Sequence, residues 1–263
     1  MYKKLTSSIL LAFFSLTFSS CAHTTLNREH DLKTFLPRTS FIHLEKILKA
    51  TSCNETQCLS MSYRSAASGY VVHLDSDGVF VTTAAHFCEN RIPPRENLKL
   101  ETAFQASTVN GKQGGAVLLH YERDIDVCLL FVKGMTEDVT ALTIAEKGPQ
   151  PGDKVYNVSA PASIFVPGMV PILEGRYNGE MNGSACYTLP AAPGSSGSMI
   201  VNENGELVGM VHSVYMNFHV ITLSTNYEKL TEFINKYVHK FSLYKEVMDE
   251  LNLEDIFTAK PSV

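Results

Sequence analysis

Three short segments of the chain carry residue types that perform acyl-transfer chemistry when brought together. The first, Val81-Thr82-Thr83-Ala84-Ala85-His86, places an imidazole at the end of an extended run. The second, Asp124-Ile125-Asp126-Val127-Cys128-Leu129-Leu130, places carboxylates at the start of an apolar run. The third, Pro193-Gly194-Ser195-Ser196-Gly197-Ser198, is a glycine-punctuated loop rich in hydroxyls. A serine hydroxyl is a weak nucleophile and needs an adjacent base. Imidazole suits that role because its pKa lies near neutrality. A buried carboxylate fixes the imidazole tautomer and stabilises the imidazolium. Gly194 and Gly197 let the loop bend, so that backbone N–H groups converge on a developing oxyanion. Each segment alone is commonplace: a histidine at a strand end is usually structural, an aspartate before a strand is usually a cap, and Gly-x-Ser-Gly is a frequent turn. Their order and their setting on a β-rich background tie them together.

The setting is a series of short strands. Residues 69–74 and 79–83 flank Asp75-Ser76-Asp77-Gly78, a hairpin signal. Residues 116–121 and 127–132 read as further strands, and the Gly/Pro-rich stretch 145–153 reads as a connector. Strands then follow at 154–158, 170–176 and 185–189, a hairpin at 198–201 and 206–214 around Asn204-Gly205, and a last strand at 219–224. After Asn226 the period changes: Leu230, Phe233, Ile234 and Tyr237 share one helical face, and residues 247–257 suit a second short helix. Residues 22–66 read as a polar lead-in with short helices near 31–36 and 42–50. Many short strands with regular turns predict an all-β barrel or sandwich.

The three segments resemble the motifs of the trypsin-like (chymotrypsin-fold) serine proteases. Thr83-Ala84-Ala85-His86 is similar to their histidine motif, Asp126-Val127-Cys128-Leu129-Leu130 to their aspartate motif, and Gly194-Ser195-Ser196-Gly197-Ser198 to their nucleophile loop. The order His, Asp, Ser matches this family and differs from subtilisins and α/β-hydrolases. The resemblance spans roughly residues 68–237 and, in style, lies nearest bacterial HtrA-like or glutamyl-endopeptidase-like domains without a PDZ domain. It implies two antiparallel six-stranded β-barrels with a C-terminal helix, a first barrel at about 67–142 and a second at about 151–225, within a domain 67–240 followed by a helical tail. It implies His86 as base, Asp126 as orienting acid and Ser196 as nucleophile, with the backbone N–H groups of Gly194 and Ser196 as oxyanion hole. Asp124, Ser195 and Ser198 are the rivals; Asp126 directly precedes the apolar run, and Ser196 alone stands at the centre of Gly-x-Ser-Gly. Pro190 stands where trypsin itself carries an acidic specificity residue, which points to a small or apolar P1 residue. His212 lies on the strand that lines the specificity pocket in this family, near the position where glutamate-specific relatives use a histidine. No Ile-Val-Gly-Gly activation sequence precedes the first barrel.

The composition is ordinary for a globular protein: 44% hydrophobic and 19% charged residues, with a net charge of -5. No long Lys/Arg run favours nucleic acid as a partner. At the N-terminus, Lys3 and Lys4 precede an apolar run at 9–18 and then Ser19-Ser20-Cys21, an export-signal pattern. The stretch also resembles a bacterial lipobox, which implies lipid attachment at Cys21 and a membrane-anchored protein facing the periplasm or cell surface; simple cleavage and secretion is the alternative. An oxidising compartment favours a local disulfide between Cys53 and Cys58. Cys128, inside an apolar run, reads as a small core residue. A polypeptide substrate is expected, and neither a cofactor nor a metal. Two other readings use the same residues: a catalytically silent peptide-binding module, and an esterase-type hydrolase.

Overall fold

The computed structural model describes residues 36–250, apart from Glu55, Arg91, Pro94, Glu96, Met216, Asn217 and His219 and the side chains of 244–250. Its apolar runs pair as antiparallel strands and close on themselves twice. The first barrel contains β1 (Phe41–Cys53), β2 (Cys58–Leu74), β3 (Gly78–Ala84), β4 (Leu98–Thr108), β5 (Gln113–Glu122) and β6 (Val127–Lys133), in the order β1-β2-β3-β6-β5-β4. The second contains β7 (Lys154–Val158), β8 (Ile172–Met181), β9 (Ser184–Thr188), β10 (Met199–Val201), β11 (Leu207–Val214) and β12 (Ile221–Thr225), in the order β10-β11-β12-β9-β8-β7. A single turn of helix, α1 (Ala85–Cys88), follows β3, and a long helix, α2 (Tyr227–Glu250), follows β12. This is the all-β, two-barrel architecture with a C-terminal helix that the motifs imply. Closing each sheet leaves its strands without a free outer edge over the paired length.

Each barrel has its own core. Ile42, Leu44, Val71, Val81, Leu130 and Val132 fill the first, and Val155, Tyr187, Leu189, Ile200, Val208 and Val211 fill the second. Leu230, Phe233, Ile234 and Tyr237 are buried on the inner face of α2, as their spacing predicts.

The expected helix at 42–50 is a strand. Leu44, Ile47 and Leu48 do fall at helical spacing, but Ile42, Leu44 and Lys46 also alternate and all three are buried. Pairing decides the matter: β1 bonds to β2 on one side (Ile42 opposite Gly69) and to β4 on the other (Ile42 opposite Thr108), along nearly its whole length. The first barrel therefore begins at Phe41 rather than near residue 67, and the supposed lead-in supplies one strand and part of the next. Strand β4 was not expected from sequence at all. Helix α2 continues unbroken to Glu250, so a tail boundary at 240 falls inside it. The expected helix at 31–36 lies outside the described residues except for Leu36, and the export signal with Cys21 lies outside them entirely.

Cys53 and Cys58 are bonded at the tip of the β1–β2 hairpin, as expected. Cys128 is a fully buried core residue, as expected, and it is bonded to Cys88. The sequence left the pairing open, because a buried half-cystine and a buried thiol look alike in an apolar run. Cys186 is free and buried on β9. Among the described residues no helix is long and apolar enough to cross a membrane.

Candidate active site

The histidine and aspartate motifs meet because β3 and β6 are neighbours. Ala84 pairs with Val127, so the residues just beyond these strand ends, Ala85-His86 and Asp126, lie side by side. Asp126 holds His86 twice: Oδ1 accepts from the backbone N–H at 2.8 Å, and Oδ2 faces ring Nδ1 at 2.7 Å. An ionised carboxylate only accepts, so Nδ1 carries a proton, and in the neutral imidazole Nε2 is then the nitrogen with the lone pair. The Asp126 carbonyl also accepts from Ala85 N–H at 3.1 Å. Asp126 makes this double contact from a left-handed backbone (φ 55°), a conformation that aspartate tolerates better than most side chains. Asp124 is exposed and takes no part.

Further ties hold the two motifs together. The Cys88–Cys128 disulfide joins the residues two places after His86 and two places after Asp126. Lys46, buried on β1, donates its ammonium to the carbonyls of Phe87 at 3.0 Å and Glu89 at 2.5 Å, at the C-terminal end of α1. Thr225 of β12 donates to the Ile125 carbonyl at 2.7 Å, pinning the aspartate turn to the second barrel.

The serine loop enters from the second barrel. Gly194 and Gly197 both have positive φ, at 99° and 80°. A Cβ on Gly194 would lie 2.4 Å from the Ala160 carbonyl, and one on Gly197 would lie 2.1 Å from Thr83 Oγ1. Gly197 is thus packed against the end of β3, three residues before His86 and beside Ser196. The three loop serines differ sharply. Ser195 is fully buried, and its hydroxyl accepts from Ala192 N–H at 3.3 Å. Ser198 is fully buried, and its hydroxyl accepts from Asn157 Nδ2 at 2.7 Å. Ser196 is partly exposed, and its hydroxyl makes no hydrogen bond among the described residues.

The carbonyls of residues 193–196 each accept a hydrogen bond. Pro193 O accepts from Ala162 N–H at 2.7 Å, and Ser195 O accepts from Ser198 N–H at 3.0 Å. Because a trans peptide points its C=O and N–H in opposite directions, these bonds aim the Gly194 and Ser196 N–H groups the other way. Neither N–H has a protein acceptor among the described residues. Ser68 on β2 grips the loop from the first barrel: its N–H donates to Ser196 O at 2.9 Å, and its hydroxyl donates to Gly194 O at 2.8 Å. Sequence reasoning passed over Ser68, Lys46 and Thr225, whose partners are remote in the chain.

A cleft of about 420 Å³ opens over the pair, lined by His86, Glu89, Arg123, Asp126, His212 and Ser213. Arg123 and Glu89 form an ion pair within it. His212 therefore stands with His86 and Asp126, and its ring Nδ1 is bonded to Ser213 Oγ at 2.9 Å. Burial pushes the His212 pKa down, with the His86 ring adding to the shift and Asp126 opposing it. Pro190 is exposed just after Leu189, whose N–H donates to Val220 O at 2.8 Å. That bond sets the 190–193 segment beside the β11–β12 turn, where Tyr215, Phe218 and Val220 are exposed.

A family of trypsin-like peptidase domains matches residues 67–210, more than half of the chain. No curated protein matches the sequence. Among solved structures, the chain is similar to a serine endoprotease from Yersinia pestis, with a TM-score of 0.57 and 16% sequence identity. That likeness covers 80% of this chain and 66% of the other, so it spans slightly under two thirds of the relative's length.

Proposed function

The chain belongs to the trypsin-like peptidase family, and from that premise we propose that it is a serine endopeptidase working through His86, Asp126 and Ser196. One observation carries the proposal: the carboxylate that fixes Nδ1 of His86 leaves Nε2 as a base, and of the three serines in the adjoining loop only Ser196 has an available hydroxyl. In the first step Nε2 takes the Ser196 proton while Oγ bonds to the scissile carbonyl carbon. The carbonyl oxygen becomes an oxyanion received by the Gly194 and Ser196 N–H groups, the two loop donors without an acceptor. Nε2 then passes its proton to the leaving amine, giving an acyl-Ser196. Water, deprotonated by the same nitrogen, releases the acid and restores the serine.

The substrate is a polypeptide with a small or apolar residue at P1. Pro190, Ala191 and Ala192 bring no charge to the segment before the loop, and the neighbouring turn exposes Tyr215, Phe218 and Val220. Profiling with a peptide library tests this directly. Cleavage after small or apolar residues supports it, and a strict acidic P1 preference would move the reading to His212 as an anion receptor. Cleavage of simple esters but of no peptide would replace the endopeptidase with an esterase. The N-terminal pattern ending at Cys21 supports export and lipid anchoring, and with them a location at the envelope or cell surface.

A further inference from the structure

We infer that Ser68 is the positioning residue of the oxyanion hole: its single buried hydroxyl clamps both the nucleophile loop and the strained turn that aims the Gly194 N–H. This deepens the endopeptidase reading and rests on it.

Ser68 has no solvent exposure, and each of its polar groups is committed. Its carbonyl accepts from Thr83 Oγ1 at 2.8 Å, two residues before Ala85 and α1. Its N–H holds the Ser196 carbonyl, and its hydroxyl donates to Gly194 O at 2.8 Å while accepting from Ala160 N–H at 3.0 Å. One residue of the first barrel therefore touches the loop on both sides of the nucleophile and also the 160–163 turn.

The turn is the less obvious half of the device. Ala162 and Ser163 both have left-handed backbones, with φ 52° and 59°. Neither residue favours that region, and each stays in it only because its surroundings impose it. The surroundings here are the Ser68 hydroxyl on Ala160 N–H and the bond from Ser163 N–H to Ala160 O at 3.0 Å. What the strained turn gains is the direction of one group: Ala162 N–H, which engages Pro193 O at 2.7 Å. The peptide plane before Gly194 is thus fixed by the turn, and the plane after it is fixed by Ser68 itself. Glycine has no side chain to hold it at φ 99°, so without these clamps the Pro193–Gly194 peptide is free to turn over. A carbonyl would then face the site where an anion must be stabilised. Preorganised donors of this kind act without reorganisation at the moment of reaction, which is why misplacing one costs rate rather than ground-state affinity.

The test uses a fluorophosphonate, whose phosphoryl oxygen occupies the hole as the reagent bonds to Ser196, so no natural substrate is needed. The rate constant of inactivation, kinact, and the reversible constant, KI, are measured for the wild type, Ser68→Cys and Ser68→Ala, with intact mass giving the final label per chain. Ser68→Ala is expected to lower kinact by roughly 10- to 100-fold, a fraction of what deleting a donor costs. KI should stay within about twofold, and labelling should still approach one per chain. Ser68→Cys, a weaker donor of similar shape, should fall between the two, and it serves alone if the alanine variant does not fold. A merely structural residue would lower the labelled fraction and leave kinact unchanged, which overturns the inference. So does a loss that appears in KI alone. A wild-type protein that takes no label at all overturns the endopeptidase reading, and the inference with it.

Discussion

Asp126 binds His86 through both of its carboxylate oxygens, one to the backbone N–H and one to ring Nδ1. The first bond fixes where the residue sits and the second fixes how its ring is turned. Asparagine at this position keeps an oxygen for one of these bonds but offers an NH₂ to the other. Asp126→Asn should therefore fold and lose about 10⁴-fold in kcat, because the imidazole adopts the wrong tautomer. Asp124→Asn, altering an exposed neighbour, should change kcat less than about twofold. Steady-state kinetics on a peptide from the library profile distinguish them; equal losses would refute the assignment of the acid.

The two disulfides should behave differently on removal. Cys88–Cys128 closes a loop of sequence separation 40, and in the chain-entropy account it contributes about 4 kcal/mol. It also ties the His86 turn to the Asp126 strand. Replacing both cysteines by alanine should lower stability by a few kcal/mol and reduce kcat in the molecules that remain folded. Cys53–Cys58, with a separation of 5 at a hairpin tip, should contribute about 2 kcal/mol by the same account and leave kcat unchanged. Denaturant unfolding, together with rates normalised to titrated active sites, checks both. An unaltered kcat in the Cys88/Cys128 double variant would show that β3–β6 pairing alone aligns the motifs.

What the sequence made legible and what it hid divide along a physical line. The His86, Asp126 and Ser196 segments are local: each carries its residue type, its glycines or its apolar strand within a few positions. Strand β1 was misread because Lys46, an inward-facing charge, breaks its apolar alternation; the ammonium is satisfied by the carbonyl of Phe87, 41 residues away. Ser68 was passed over because its hydroxyl's partners, Ala160 and Gly194, lie 92 and 126 residues away in the other barrel. The Cys88–Cys128 bond did leave a trace, since the cysteines sit two places after His86 and Asp126 respectively. Reading that trace requires knowing that β3 and β6 are neighbours.

Acid should destabilise the fold before it protonates most carboxylates. The pKa of His43, His120 and His212 are each lowered, first of all by burial, while Glu45, Glu122 and Asp126 respectively oppose the shift. Unfolded, each takes a proton near pH 6.5, and folded it does so only at lower pH. Between those values the unfolded chain binds more protons, so stability rises with pH there. The contribution is fully present above about pH 6.5 and is lost as the pH falls toward the folded pKa values. Tm should accordingly decline from pH 7 to pH 5. His43→Phe, which preserves the ring packed against Phe165 at 4.9 Å, should flatten part of that decline. A Tm that is constant or rises over this range would contradict the histidine account.

Anchoring at Cys21 is tested by fractionation. A diacyl modification buries many methylenes at about 0.8 kcal/mol each, enough to hold the protein at a membrane. The wild type should sediment with membranes and carry the lipid mass on a mature terminus starting at Cys21. Cys21→Ala should move the protein to the soluble fraction or leave an unprocessed precursor. An unmodified mature terminus downstream of Cys21 would make it a secreted enzyme.

The most direct measurement is the site of covalent labelling by a fluorophosphonate, read by intact mass and peptide mapping. The wild type should gain one adduct per chain, on Ser196. Ser196→Ala should gain none while keeping the wild-type Tm within a few degrees. Ser195→Ala and Ser198→Ala, which remove the buried hydroxyls bonded to Ala192 and Asn157, should still label at Ser196. An adduct that persists in Ser196→Ala, or that maps to another serine in the wild type, would contradict the account.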